Sequence, residues 1–204
     1  MSKLIQKKTF YSGLLLAFSL LYISFYWQPI DFWILFPLSL LLLTVWSWLF
    51  EHHDLKRPSL RLWLTAMGSG IVLYIIFVIG NWFVRVSGLP LISNLESLYT
   101  LVKPTDPIHY LWLFLIIIPG EEWFWRGFIV KRLTNHFSFH KAAIYGTILY
   151  ASAHLATGSL LLVLAALLAG LIWSYLYVRT NSIWVPIISH LIFDFFLLIF
   201  FPLI

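Results

Sequence analysis

The chain has 204 residues, of which 61% are apolar or aromatic and only 10% are charged. A soluble domain carries far more charge, so this composition indicates an integral membrane protein in contact with the lipid bilayer. The net charge of +5 does not indicate a nucleic-acid partner, because the basic residues lie at the ends of apolar segments rather than in one patch. The absence of cysteine excludes disulfides, thiol nucleophiles and cysteine-ligated metals.

Apolar segments of membrane-spanning length follow one another along the chain. A hydrocarbon core about 30 Å thick needs about 20 apolar residues per helix, and about seven segments approach this length. They cover residues 9–27, 32–50, 62–84, 110–129, 142–157, 159–178 and 184–202. The fifth is short, and the tight turn at residues 157–159 predicts a hairpin with the sixth. The predicted fold class is an all-α, polytopic transmembrane helix bundle.

Lysine and arginine residues are distributed unequally between the two sides of this bundle. If the amino terminus is cytoplasmic, the outer side contains only Arg85 and Lys103, and Arg126 lies within the membrane. The inner side then contains Lys3, Lys7, Lys8, Lys56, Arg57, Arg61, Lys131, Arg132, Lys141 and Arg179. This asymmetry follows the positive-inside rule and predicts a cell-membrane protein with a cytoplasmic amino terminus.

The connection over residues 88–107 is long enough to contain structure of its own. Its apolar residues recur at helical spacing, and Ser93 and Glu96 are placed as a capping box, which predicts an interfacial helix. These apolar residues are Leu91, Ile92, Leu95, Leu98 and Val102. An ordered external loop and a substrate gate are the alternatives. We divide the single membrane domain here, into amino-terminal helices (1–107) and a four-helix core (108–204).

Three charged residues interrupt the segment over residues 110–129. A charge near the bilayer centre costs at least about 2.5 to 3.5 kcal/mol, so Glu121, Glu122 and Arg126 need partners or a function. Glu122 and Arg126 are four residues apart and can pair along one helix face. Glu121 points about 100 degrees away from Glu122 and needs another partner.

Candidate partners for Glu121 lie in two other apolar segments. His154 lies in the fifth, whereas His190 and Asp194 are four residues apart in the seventh and can share one helix face. All these groups can be satisfied together only if the helices converge on one polar cavity. A carboxylate base, imidazoles and a water are the components of a carbonyl hydrolase. A purely structural polar network is the alternative.

Three motifs appear in a fixed order along the second half of the chain. They are the sequence EEWFWR from Glu121 to Arg126, the pair Tyr150 and His154, and the pair His190 and Asp194. This half, from about Tyr110, resembles the CAAX protease and bacteriocin-processing (Abi) family of intramembrane proteases, which is related to the type II CAAX prenyl endopeptidase.

The resemblance implies an intramembrane endopeptidase that acts on a peptide or protein substrate. Glu121 would activate water with the assistance of His154, while Glu122 and Arg126 would support the site. His190 and the residue at position 194 would stabilise the oxyanion. Because an ionised Asp194 cannot donate a hydrogen bond, we expect it to orient His190 instead. Tyr150 replaces the family's usual phenylalanine, and its hydroxyl needs a partner.

Other function classes remain alternatives at the level of sequence. A proton-coupled transporter also uses intramembrane Glu, His and Asp relays, although no internal repeat is present. A bacteriocin-immunity or scaffold protein could retain the motifs without activity. The sequence does not indicate an oligomeric state.

The favoured mechanism uses no metal cofactor. Zinc bound by His154, His190 and Glu121 is the alternative, but the chain has no HExxH motif, and Arg126 would repel a dication. Since Glu121 lies nearer the Lys131 end of its predicted helix, we also expect the site to open toward the cytoplasm.

Overall fold

The computed structural model describes residues 3–88 and 92–203, which form eight helices and no strand within these ranges. Helix α1 covers Lys3–Tyr22 and continues as a π-helical turn over Ile23–Trp27. It is followed by α2 (Phe32–Phe50), α3 (Leu60–Ser87) and α4 (Ile92–Val102). The long helix α5 covers residues 107–134, in the segments Pro107–Trp112, Leu113–Ile117, Ile118–Phe124, Trp125–Val130 and Lys131–Thr134.

The last three helices complete the bundle. Helix α6 covers Phe139–Ala153 and ends in a 3₁₀ turn over His154–Thr157. Helix α7 covers Leu160–Thr180, and α8 covers Trp184–Asp194 with a π-helical extension over Phe195–Phe200. The predicted all-α bundle is confirmed. Within the described ranges, four helices are long and apolar enough to cross a membrane, namely Leu4–Trp27, Phe32–Phe50, Leu60–Ser87 and Leu160–Thr180.

Helices α6 and α7 form the predicted hairpin and pack closely along their length. The turn between them is made at Gly158, whose φ of 67° is accessible to glycine at little cost. The side chain of Ser159 then accepts a hydrogen bond from the backbone N–H of Leu162 and caps the start of α7. This hairpin places His154 beside the first turns of α7.

Helix α4 is the helix predicted in the 88–107 connection. Leu95 and Tyr99 face the core, whereas Glu96 and Thr100 are exposed, so the helix is amphipathic. It begins at Ile92, one residue before Ser93. Leu91 and the side chain of Ser93 lie outside the described part of the chain.

Helix α5 is central and irregular. Pro119 has no N–H and cannot continue a regular α-helical ladder, and a π-helical segment, Leu113–Ile117, precedes it. A second π-helical segment, Trp125–Val130, follows the Glu pair. Gly120 allows α2 to approach closely, because a Cβ atom there would lie 3.1 Å from Leu40 Cβ. π-Helical turns are frequently found at functional sites.

Candidate active site

Glu121 lies at the centre of a cluster of polar side chains from three helices. Its Oε1 atom is 3.7 Å from His154 Nε2, and its Oε2 atom is 3.9 Å from His190 Nε2. The hydroxyl of Tyr150 donates a hydrogen bond of 3.3 Å to Oε2. These distances leave the carboxylate loosely bound, so an inserted water could contact it at normal hydrogen-bond length.

The backbone of α6 fixes the orientation of His154. Its Nδ1 atom is 2.9 Å from the carbonyl oxygen of Tyr150, which can only accept, so Nδ1 carries a hydrogen and donates it. In the neutral ring, Nε2 therefore has a free lone pair directed at the Glu121 side. His154 begins the 3₁₀ turn that ends α6. A base with a fixed tautomer thus lies beside Glu121.

His190 is surrounded by carboxylates. Its Nδ1 atom donates to Glu122 Oε1 at 2.9 Å, and its Nε2 atom is 3.4 Å from Asp194 Oδ2. A carboxylate oxygen thus lies at each ring nitrogen of His190. Both nitrogens can donate a hydrogen bond at once only if both carry a hydrogen, which is the imidazolium form. The sequence predicted Asp194 as the residue that orients His190, but the closer partner is Glu122, which comes from another helix.

Glu122 and Arg126 form the ion pair that their spacing predicts. Arg126 Nη1 donates to Glu122 Oε1 at 3.0 Å, and both side chains are fully buried. Arg126 Nη2 donates to the carbonyl oxygen of Gly170 in α7 at 3.2 Å. A Cβ atom at position 170 would lie 2.8 Å from Tyr150 Cδ1, so glycine is needed for this approach. The pair fixes α5 against α7 beside the site.

Trp173 is a component of the site that the sequence did not indicate. Its ring stacks on His190 with centroids 3.7 Å apart and planes 20° apart, and the guanidinium carbon of Arg126 is 5.3 Å from it. Trp173 is 2% exposed. A tryptophan within an apolar helix gives no sequence signal of such a contact. Gly170, three residues earlier, was missed for the same reason.

The cluster opens into an apolar cavity of about 430 Å³, whose wall includes Glu121, His154, His190 and Asp194. Its apolar residues include Phe25, Trp33, Phe77, Leu95, Tyr99 and Leu161. These belong to α4 and to the ends of α1, α2, α3 and α7 that lie nearest α4. The cavity therefore lies at the α4 end of the bundle, and the expectation that it opens toward the Lys131 end is wrong. Because α5 begins at Pro107, Glu121 lies at its middle.

The residues considered for zinc, His154, His190 and Glu121, all belong to the cluster. Within residues 3–88 and 92–203, no three His, Asp or Glu side chains are arranged to bind a metal ion. The geometry of His190 explains this, because a ring that donates from both nitrogens has no lone pair for a metal. The arrangement instead provides a carboxylate, a neutral imidazole and hydrogen-bond donors around one small volume.

Comparison with known families gives one match. Residues 103–196 match the sequence model of the family described as Type II CAAX prenyl endopeptidase Rce1-like. This part of the chain is therefore similar to the Rce1-like family. The match includes every residue of the cluster, and it confirms the family resemblance that the three motifs predicted. The Rce1-like family is a protease family. The apolar helices described above independently indicate an integral membrane protein. No curated protein and no solved structure matches the chain.

Proposed function

We propose that the protein is an intramembrane endopeptidase that hydrolyses a peptide bond of a membrane-associated or peptide substrate. The observation that supports this most directly is the position of Glu121. Its carboxylate lies between two imidazoles and within the wall of the apolar cavity. The cavity gives an apolar substrate segment access to a group that can activate water.

The proposed reaction begins with a water molecule beside Glu121 and His154. Glu121 accepts a proton from the water as its oxygen attacks the scissile carbonyl carbon, and the free lone pair of His154 Nε2 orients the same water. The carbonyl oxygen becomes an oxyanion, which replaces Asp194 as the acceptor of the His190 Nε2 hydrogen bond. The proton on Glu121 then passes to the leaving nitrogen as the C–N bond breaks, which gives a carboxylic acid and an amine. The carboxylic acid, which keeps the second proton of the water, releases it to solvent and becomes a carboxylate.

Neighbouring residues support this chemistry in different ways. Glu122 orients His190 through Nδ1, and Asp194 stabilises the imidazolium form from the other side. Tyr150 donates to Glu121 Oε2 and restricts its rotamer. Arg126 compensates the charge of Glu122, so that the cluster does not concentrate negative charge in the membrane.

Hydrolysis is tested with purified protein in lipid nanodiscs and a library of apolar peptides in ¹⁸O-labelled water. We expect internal cleavage with one ¹⁸O atom in the new carboxylate, and no cleavage by Glu121→Gln. His154→Ala should lower the rate by about 10²-fold or more without loss of folding. A library that is left intact by wild-type protein, or cut equally by Glu121→Gln, would contradict the proposal.

The proposed water activation passes through Glu121 and not through a metal. Activity should therefore persist in a chelator that reaches the cavity, and purified protein should contain far less than one zinc per chain. Stoichiometric zinc that is lost together with activity, and that restores activity when added back, would instead make zinc the activating group.

We also propose that the protein lies in the cell membrane with a cytoplasmic amino terminus. The supporting feature is the excess of basic residues at one end of the bundle, and in this orientation the cavity opens toward the outer surface. The cysteine-free chain allows a direct test. A membrane-impermeant thiol reagent should label Thr105→Cys in intact cells but label Lys141→Cys only after lysis. The reverse labelling would invert the topology.

A further inference from the structure

The segment after α8 folds back against α3 and α4. Phe201, Pro202 and Leu203 are not helical. The hydroxyl of Tyr74 donates to the carbonyl oxygen of Phe201 at 2.9 Å. The carbonyl oxygen of Leu203 accepts from Asn81 Nδ2 and from Arg85 Nη2, both at 3.0 Å. Side chains of α3 thus bind a short stretch of non-helical backbone.

Tyr99 of α4 completes this set of contacts. Its hydroxyl accepts a hydrogen bond of 3.1 Å from the backbone N–H of Leu203 and donates one of 3.0 Å to the carbonyl oxygen of Leu197. Leu203 therefore has its N–H and its C=O bound by side chains of two helices. This is the way a binding site recognises a peptide backbone, independently of the side chain.

Part of this set of contacts lies in the wall of the cavity at the candidate active site. Asn81, Tyr99 and Leu203 line the cavity that also contains Glu121 and Asp194. Leu197, which binds the Tyr99 hydroxyl, follows Asp194 by three residues, or on the order of 5 Å along the helix. An extended peptide covers about 3.3 Å per residue. A substrate chain that passes Asp194 in the cavity would reach the Tyr99 hydroxyl within about two or three residues.

We propose that Asn81, Arg85 and Tyr99 form a binding subsite for the backbone of the substrate peptide, and that the segment Phe201–Leu203 occupies it in the free protein. This inference rests on the proposed function, because the subsite serves the same cavity. By analogy with Leu203, the carboxamide and the guanidinium donate to a peptide carbonyl, and the tyrosine hydroxyl accepts from the N–H group of the same residue. The substrate is therefore a peptide that is extended, not helical, on this side of the scissile bond.

Occupation by the chain's own segment makes substrate binding competitive. Leu203 is partly buried against the cavity, whereas the Phe201 side chain is 56% exposed. A charge at position 203 should expel the segment from the apolar wall, but a charge at position 201 should not, because Phe201 lies outside that wall. If the segment occupies the subsite about nine-tenths of the time, its release strengthens peptide binding about tenfold.

Binding is measured in the full-length Glu121→Gln protein, so that no hydrolysis is required. The probe is a synthetic peptide of sequence IFFPLI with an amino-terminal fluorophore and hydrophilic linker, and Kd is measured by fluorescence anisotropy in nanodiscs. We expect Leu203→Asp to lower Kd about tenfold relative to its parent. The matched control Phe201→Asp should bind like the parent. Adding Asn81→Ala and Arg85→Ala to Leu203→Asp should remove the gain.

Equal Kd values for Leu203→Asp and Phe201→Asp would overturn the inference, as would a gain that persists without Asn81 and Arg85. Thermal unfolding of each variant shows whether a loss of binding reflects loss of the fold. If the alanine substitutions at positions 81 and 85 unfold the protein, Asn81→Asp and Arg85→Gln are used in their place. These substitutions should also abolish the tighter peptide binding of Leu203→Asp. Because the readout is binding, its failure is distinguishable from a failure of the peptidase activity, which the ¹⁸O experiment measures separately.

Discussion

Helix α5 carries two clusters of acids and bases that differ in how completely they are satisfied. At its Lys131 end, Arg132 donates to Glu51 Oε2 at 3.0 Å, to the carbonyl oxygens of Gln6 and Phe50, and to the Thr9 hydroxyl. At its centre, Glu121 has no contact with a donor shorter than 3.3 Å among the described residues. Arg132 and Glu121 are both buried, and Glu121 lies in the wall of the cavity.

The difference separates a structural charge from a reactive one. The Arg132 cluster joins α1, α2 and α5. Because protein atoms already accept the hydrogen bonds of Arg132, this side chain has little hydrogen-bonding capacity left for a substrate. The Glu121 carboxylate retains hydrogen-bonding capacity and faces a space that admits water. Burial of charge in an apolar helix therefore indicates function only when the protein's own partners leave that charge incompletely bonded.

Exchanging the two acids for amides gives the largest expected contrast. Glu121→Gln should reduce peptidase activity by about 10²- to 10⁴-fold because the general base is removed. Its thermal unfolding midpoint should stay near that of wild type, since its hydrogen bonds are long. Glu51→Gln should have the opposite effect. Its peptidase activity per folded molecule should stay within about threefold of wild type, whereas its thermal unfolding midpoint should fall. Loss of stability without selective loss of activity in Glu121→Gln would make the central cluster structural.

The second prediction concerns the buried cation of the central cluster. Arg126→Ala leaves Glu122 buried without its ion-pair partner and should cost about 3 to 5 kcal/mol of stability. We expect poor expression and a large drop in the unfolding midpoint. Arg179→Ala, at an exposed position, is the matched control and should change stability by less than about 0.5 kcal/mol. Similar behaviour of the two variants would show that the Glu122–Arg126 pair contributes little.

A smaller effect is expected at Trp173, which we regard as a residue that positions His190. Trp173→Leu should lower kcat about tenfold, leave KM within about twofold and alter the pH profile of kcat, since the imidazole loses its stacking face. Trp173→Phe should restore most of kcat. Trp123→Leu, which does not contact His190, controls for loss of packing. An unchanged pH profile, or equal kcat losses at positions 173 and 123, would assign Trp173 to packing alone.

The smallest effect concerns His53, which lies in the connection between α2 and α3. Burial lowers the pKa of its imidazole below the ordinary value of 6.5, and Nε2 is 2.9 Å from the Ser47 hydroxyl. Since the unfolded chain binds this proton more readily, stability should be complete above about pH 6.5 and decline below it. Solvent screening near the surface limits the loss to less than about 1 kcal/mol.

His53→Asn should flatten this part of the pH dependence in thermal unfolding of the purified protein. His136→Asn, at an exposed position in the connection between α5 and α6, should leave it unchanged. If both variants retain the wild-type slope, another group causes the decline.

Local features of the site could be predicted from the sequence because helix geometry fixes them. Residues four apart share a face, so the Glu122–Arg126 pair followed from spacing alone. The helices extend past the predicted segments, as at residues 107–134, since capping and charged residues lengthen a helix beyond its apolar run. The hairpin at Gly158 followed from its turn residues.

Contacts between distant helices could not be predicted, because they depend on how the helices are rotated and offset against one another. Glu122 proved to be the close partner of His190, although Asp194 is nearer in sequence. The Trp173 stack and the contacts of Leu203 have the same origin. The direction of the cavity was mispredicted because the predicted segment began at Tyr110, whereas Asp106 and Pro107 cap an earlier start that places Glu121 at the middle of α5.

The π-helical segments of α5 have a consequence for which changes of length the chain can accept. A π-helical turn is equivalent to one extra residue in an α-helix, and each residue rotates a helix by about 100 degrees. Deletion of one residue within Trp125–Val130 could restore a regular helix, but it would turn Glu121 and Arg132 out of their present relative phase. If Glu121 kept its contacts after the deletion, Arg132 would be rotated away from its own partners, and the reverse would also hold. We therefore expect this stretch to tolerate substitutions better than single-residue insertions or deletions.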